Sequence, residues 1–127
     1  MKTLRLTGKV FSGNGEGARF MGLPWVKKQV EEKLGFIPYP GTLDVRLTEE
    51  SVKLKKALAE DGVDIMPEAG FYHGKCYKAS LKGLNCGIVV PEVPGYPEDK
   101  LEIIGPWNLR SKLHLSDGDA VEVKVVF

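Results

Sequence analysis

The sequence predicts a mainly β fold: a small closed six-stranded β-barrel carrying one clear helix and short helical insertions. Three observations predict it. Six or seven segments alternate apolar and polar residues as strands do, only one segment keeps a strong helical period, and no strand-helix-strand rhythm repeats along the chain. With 127 residues and 43% hydrophobic residues, residues 1–127 form one domain that buries enough surface to need no disulfide or metal staple.

Taken in order, Thr3 to Phe11 alternates Leu4, Leu6 and Val10 with polar partners, the pattern of a half-buried strand. It delivers the chain into Ser12 to Phe20, where Gly13, Gly15 and Gly17 fall in five residues. Glycines so placed let successive backbone N–H groups turn inward as a donor nest for an anion such as phosphate; the plain alternative is a hairpin turn. No Gly-x-x-x-x-Gly-Lys-Ser/Thr is present, so a P-loop is excluded. Gly13, Gly15 and Ala18 fit the dinucleotide fingerprint loosely, but that motif needs a helix beginning inside the loop, and helix signals begin only at Pro24.

Pro24 to Leu34 is the clearest helix, with Val26, Val30 and Leu34 on one face, Pro24 near its start and Gly35 as its stop. Pro38 to Gly41 reads as a turn. In the strand Thr42 to Leu47, Leu43, Val45 and Leu47 share one face, which leaves Thr42, Asp44 and Arg46 on the other. Thr48 to Ser51 offers a helix start, and Asp61 to Gly70 reads as loop. Phe71 to Leu81 and Asn85 to Pro91 form a hairpin turning at Lys82-Gly83. Residues paired across that turn sum to 165, which sets Cys76 opposite Val89 instead of Cys86 and argues against a disulfide. Pro91 to Asp99, with three prolines, is an irregular connection suited to a binding loop. Lys100 to Ile104 is a strand with Glu102 embedded in it, Pro106 to Leu113 a short helix, and Ala120 to Phe127 a final strand after a tight turn.

Charge excludes some functions. Eighteen basic and seventeen acidic residues leave a net charge of +1, so neither nucleic acid nor an anionic membrane is an expected partner. No run approaches the ~20 apolar residues of a membrane span, and Met1 to Leu6 leads into a strand pattern, so a cytoplasmic protein is the expectation; a monomer is expected too, although no residue pattern determines the oligomeric state. Cys76, Cys86, His73 and His114 lack zinc-site spacing.

Chemistry concentrates in few residues. Thr42 and Asp44 put a hydroxyl and a carboxylate on one strand face, hard oxygen ligands suited to Mg²⁺ held jointly with substrate phosphates; simple solvation is the alternative. Glu102 either faces water or forms a carboxylate pocket wall that accepts a ligand hydrogen bond or acts as a base. Trp107 is suited to stacking or packing, and Arg19 and Arg110 are the basic groups best placed to reach phosphate.

In order along the chain, Gly13-Asn14-Gly15-Glu16-Gly17, Gly35-Phe36, Gly41-Thr42-Leu43-Asp44-Val45, Val89-Val90-Pro91, Leu101-Glu102-Ile103-Ile104-Gly105-Pro106, Asn108-Leu109-Arg110 and Asp117-Gly118-Asp119 together resemble the archaeal CTP-dependent riboflavin kinases. The resemblance implies a cradle-loop (RIFT-like) barrel that moves the γ-phosphate of CTP to the ribityl 5′-hydroxyl of riboflavin, giving FMN and CDP. It implies nucleotide contacts at Gly13, Asn14, Gly15, Glu16, Gly17 and Ala18 and at Trp107, Asn108, Leu109 and Arg110. It also implies Mg²⁺ on Thr42 and Asp44 and flavin on Glu102. The family pattern has asparagine where this chain has Asp44, and its flavin-side threonine has no counterpart: Pro94-Gly95-Tyr96 occupies that region, where Gly95 would meet flavin through its backbone. No catalytic base is identified. The competing reading is a non-enzymatic barrel that binds a nucleotide, a flavin or a protein partner.

Overall fold

The computed structural model describes residues 2–127. Its elements follow in the order β1 (Thr3–Phe11), α1 (Glu16–Met21), α2 (Pro24–Leu34), β2 (Leu43–Leu47), α3 (Glu49–Lys56), β3 (Val63–Ile65), β4 (Gly74–Leu81), β5 (Leu84–Pro91), β6 (Lys100–Ile104), α4 (Leu109–Lys112) and β7 (Ala120–Val126). The strand order β3-β4-β5-β6-β2-β1-β7 closes on itself because β4 also pairs with β7. Six antiparallel strands therefore make the expected barrel, and β3 is appended at the free edge of β4.

Side-chain alternation divides the apolar residues between two clusters. Leu43, Val45 and Leu47 of β2, Leu101 and Ile103 of β6, and Val121, Val123 and Val125 of β7 fill the barrel interior. Ile65, Cys76, Val89 and Ile104 point outward instead, where Met21, Val26 and Val30 from the helices cover them. Val26 and Val30 are fully buried there, each worth roughly 1.5–3 kcal/mol of hydrophobic stabilisation. Helix α2 has the predicted ends, with Pro24 in its first turn and Gly35 as its left-handed C-cap. Thr48 caps α3, its hydroxyl accepting the Ser51 N–H at 3.2 Å.

The β4–β5 hairpin turns at Lys82-Gly83 and sets Cys76 opposite Val89, as the register predicts. The two thiols lie in different clusters, Cys76 outside the barrel wall and Cys86 inside it, and both are free. Burial pushes the Cys76 thiol up to about 11 and that of Cys86 to about 12.

Three details depart from the sequence expectation. A helix does begin inside the glycine loop: α1 starts at Glu16, eight residues before Pro24. The segment read as loop from Asp61 to Gly70 contains β3, which is only three residues long and held by its pairing with β4. Residues 71–73 precede β4 and are exposed instead of continuing it. Among the described residues no helix is long and apolar enough to cross a membrane.

Candidate functional site

Four strands align one row of residues across the outer wall of the barrel: Phe11, Asp44, Glu102 and Val89 are successive cross-strand partners on β1, β2, β6 and β5. Alternation turns both carboxylates out of the barrel, yet Asp44 is only 8% and Glu102 only 4% exposed. The cover is the glycine loop on one side and Tyr96 on the other. At Gly17 an added Cβ would lie 2.7 Å from Glu102 Oε1 and overlap the Thr42 hydroxyl; at Gly13 it would overlap Asp44 Oδ2. The backbone thus passes directly over the carboxylates, which only residues without a side chain permit. Gly15, at φ +85°, turns the chain from this pass into α1.

Thr42 Oγ1 donates to Asp44 Oδ1 at 2.7 Å and lies 3.3 Å from Glu102 Oε1. The Tyr96 hydroxyl donates to Glu102 Oε2 at 2.6 Å. Burial raises the Glu102 carboxyl above its ordinary range, while the Tyr96 hydrogen bond opposes that shift. Burial, followed by the Glu102 charge, raises the Tyr96 phenol, which therefore stays a donor.

Two clefts open onto this cluster. The first, of about 330 Å³, is lined by Gly13, Gly15, Gly17 and Ala18 on one side and by Trp107 to Arg110 on the other, with Thr42 and Asp44 at its floor. The second, of about 210 Å³, is lined by Glu102, Tyr96, Phe20, Phe71, Tyr72 and Lys100 among others. Gly17 and Thr42 belong to both, so the clefts meet at that point.

Most sequence-derived candidates gather here. Asn14 serves the first cleft indirectly: its side chain accepts the Glu16 N–H at 3.1 Å and shapes the turn, while Glu16 itself lines the second cleft. Among the described residues the Gly17 and Ala18 amides have no protein acceptor, whereas Arg19 N–H goes to Gly15 O at 3.3 Å. Leu109 lines the first cleft but packs its side chain in the barrel core, and Asn108 caps α4 by accepting the Ser111 N–H at 3.2 Å. Arg110 is fixed at the cleft edge by Phe11 O at 3.2 Å and Asp117 Oδ1 at 2.9 Å. Ser12 also donates to Asp117, at 2.9 Å. The Ser12 and Arg110 contacts hold the Asp117 carboxyl below its usual range. Arg19 is exposed and lines neither cleft.

Gly95, at φ +80° in an exposed turn, does not line the second cleft; its neighbour Tyr96 does. Tyr96, Phe71, Tyr72 and the first cleft's Tyr39 are site residues that sequence reasoning did not single out. For Tyr39 and Tyr96 the one signal was an aromatic placed among Gly and Pro in a segment with no strand or helix pattern, whereas Phe71 and Tyr72 fell inside a segment read as strand.

The donor set suits a small hard cation. Thr42 Oγ1 and Asp44 offer adjoining oxygens at the cleft floor, too few to cage an ion alone but matching one that keeps phosphate and water ligands.

The architecture is a closed barrel with two adjoining clefts, each of small-molecule dimensions, over a buried carboxylate pair. The family model for the CTP-dependent riboflavin kinase domain, described as a domain of unknown function, DUF120, matches residues 10–125, and the chain belongs to that family. It is similar to the riboflavin kinase of Archaeoglobus fulgidus, with 42% identity covering 98% of this chain and 55% of that protein. The riboflavin kinase of Methanosarcina barkeri is 43% identical over 96% of this chain and 56% of its own length, and that of Pyrobaculum aerophilum 40% identical over 98% and 61%. The chain therefore spans little more than half the length of these curated relatives.

Proposed function

We propose that the chain transfers the γ-phosphate of CTP to the ribityl 5′-hydroxyl of riboflavin, giving FMN and CDP, and works as a monomer. The observation that carries this reading is the meeting of the two clefts at Gly17 and Thr42: ligands in each would touch where the cleft-floor oxygens lie. Family membership and the names of the curated relatives support it.

On this reading the first cleft takes the nucleotide. The Gly17 and Ala18 amides, without a protein acceptor among the described residues, donate to phosphate oxygens. Thr42 and Asp44 hold Mg²⁺, which when bound neutralises charge on the triphosphate. Cytosine is read by directional hydrogen bonds near Asn108 to Arg110, since stacking alone accepts any base. Trp107, with Lys112 Nζ 5.2 Å from its ring centroid, is the aromatic wall on that side.

Riboflavin occupies the second cleft, whose lining from Phe20, Phe71, Tyr72, Val89 and Val93 matches a flat aromatic ring system. Glu102 accepts a ligand hydrogen bond there. The barrel supplies position and charge, which dominate phosphoryl transfer.

The test is chromatographic. Purified protein is incubated with riboflavin, Mg²⁺ and each of CTP, ATP, GTP and UTP, and FMN and the matching diphosphate are measured. FMN with CTP alone is the expected result. No FMN from folded protein with any nucleotide overturns the reading in favour of a non-catalytic binding barrel.

A further inference from the structure

Tyr96 is anchored from several directions. It stands between β5 and β6, close to Pro94 and Pro97, with its amide bonded to Val93 O at 3.1 Å. Its half-buried ring separates the second cleft from a third cavity of about 260 Å³ beside α3. Lys55 and Lys100 place their ammonium groups 5.7 and 5.6 Å from the ring centroid. Lys55 is itself held, donating to Glu98 O at 3.3 Å and Lys100 O at 3.0 Å.

What this anchoring fixes is the hydroxyl, 2.6 Å from Glu102 Oε2. With Thr42 Oγ1 near Oε1, each carboxylate oxygen has a hydroxyl neighbour. An ionised carboxylate has about four lone-pair sites, so it keeps acceptor capacity for a further donor. Turning it away from the cleft would break the 2.6 Å bond from the Tyr96 hydroxyl and leave that half-buried donor without its acceptor.

The geometry points to Tyr96 as a positioning residue that holds Glu102 in the orientation in which its remaining lone pairs meet a donor group of the second ligand. This rests on the riboflavin reading of the second cleft and deepens it, because flavin affinity then depends on a hydroxyl acting through Glu102. Nucleotide affinity does not depend on it, since neither Tyr96 nor Glu102 lines the first cleft.

The experiment compares wild type, Tyr96→Phe, Glu102→Gln and the double variant by riboflavin fluorescence quenching, KM for riboflavin and for CTP, and thermal melting. Phenylalanine keeps the ring that walls the cleft and removes only the donor. The expected result is a riboflavin affinity weakened about tenfold in Tyr96→Phe, in line with the cost of leaving a buried acceptor short of a partner. The CTP KM stays within about twofold, and the double variant loses no more than the worse single variant, as interacting residues do. Tyr96→Phe that melts like wild type and binds riboflavin equally well overturns the positioning role alone, as does an additive double variant. Wild type that neither quenches riboflavin nor makes FMN overturns the flavin reading itself, and the role of Tyr96 with it.

Discussion

Glu102 lies directly across from Asp44 on the neighbouring strand, and a single hydroxyl, Thr42 Oγ1, stands within hydrogen-bond reach of both carboxylates. It has one proton to give, and the 2.7 Å separation assigns that proton to Asp44 over the 3.3 Å alternative. Two carboxylates side by side, each less than a tenth exposed, are costly to bury together.

Replacing Asp44 therefore separates function from stability. Asp44→Ala is expected to lower FMN formation by at least about 100-fold, the scale of losing a group that positions charge in the transition state. Asp44→Asn, which carries the residue of the resembled family pattern, should retain turnover and fold as wild type does, since the amide keeps an oxygen to accept from Thr42. Turnover unchanged in Asp44→Ala would remove Asp44 from the site.

Gly15 and Gly17 should fail in different ways. Gly15→Val forces a β-branched residue to φ +85°, costing roughly 1–2 kcal/mol, and should raise the CTP KM about tenfold with little effect on riboflavin. Gly17→Ala pushes a methyl onto Thr42 and Glu102 where the clefts meet, so both KM values should rise. Equal nucleotide affinity in Gly15→Val would mean that the loop is only a turn.

Asp117 gives a pH dependence whose sign is fixed by its lowered folded-state pKa. A carboxyl that ionises more readily when folded stabilises the protein above its ordinary value of 3.8, and that contribution disappears as pH falls through the lowered one. The melting-temperature gap between wild type and Asp117→Asn should be widest near about pH 6 and close towards about pH 2; the gap is small because the group is exposed. A gap that widens on acidification contradicts the Ser12 and Arg110 contacts.

The cysteines should be inert in the native protein. With thiols raised to about 11 and about 12, at pH 8 only on the order of one Cys76 thiol in a thousand is ionised, and Cys86 less. A maleimide or aromatic disulfide reagent should label neither until denaturant is added, whereupon mass spectrometry should find two adducts. Rapid native labelling would show that one of the two clusters opens.

The parts legible in the sequence are those where one local pattern agrees with the tertiary environment. Helix α2 shows its period, its starting proline and its closing glycine together, and the Lys82-Gly83 turn determines every pairing of the β4–β5 hairpin. Helix α1 was not legible, because six residues are too few to display a period and its cap is a left-handed glycine with no side chain to signal it. Glu102 shows the limit of alternation as an argument. The two-residue period correctly turns it out of the barrel, but it cannot reveal that the outside is roofed by the glycine loop and Tyr96. That roof depends on contacts between residues far apart in the chain, as between Gly17 and Glu102.

The barrel has its apolar filling inside and its chemistry on the outer wall, so neighbouring residues of one strand answer to different kinds of selection. Leu43, Val45, Leu101 and Ile103 pack the barrel core, whereas Asp44 and Glu102, one step along the same strands, belong on the proposed reading to the site. A library of single variants scored separately for abundance and for catalysis should therefore alternate between the two readouts over Leu43-Asp44-Val45 of β2 and Leu101-Glu102-Ile103 of β6, while outward Ile104, covered by the helices, scores for abundance. The interior could then be redesigned for heat tolerance with the outer wall left as it is.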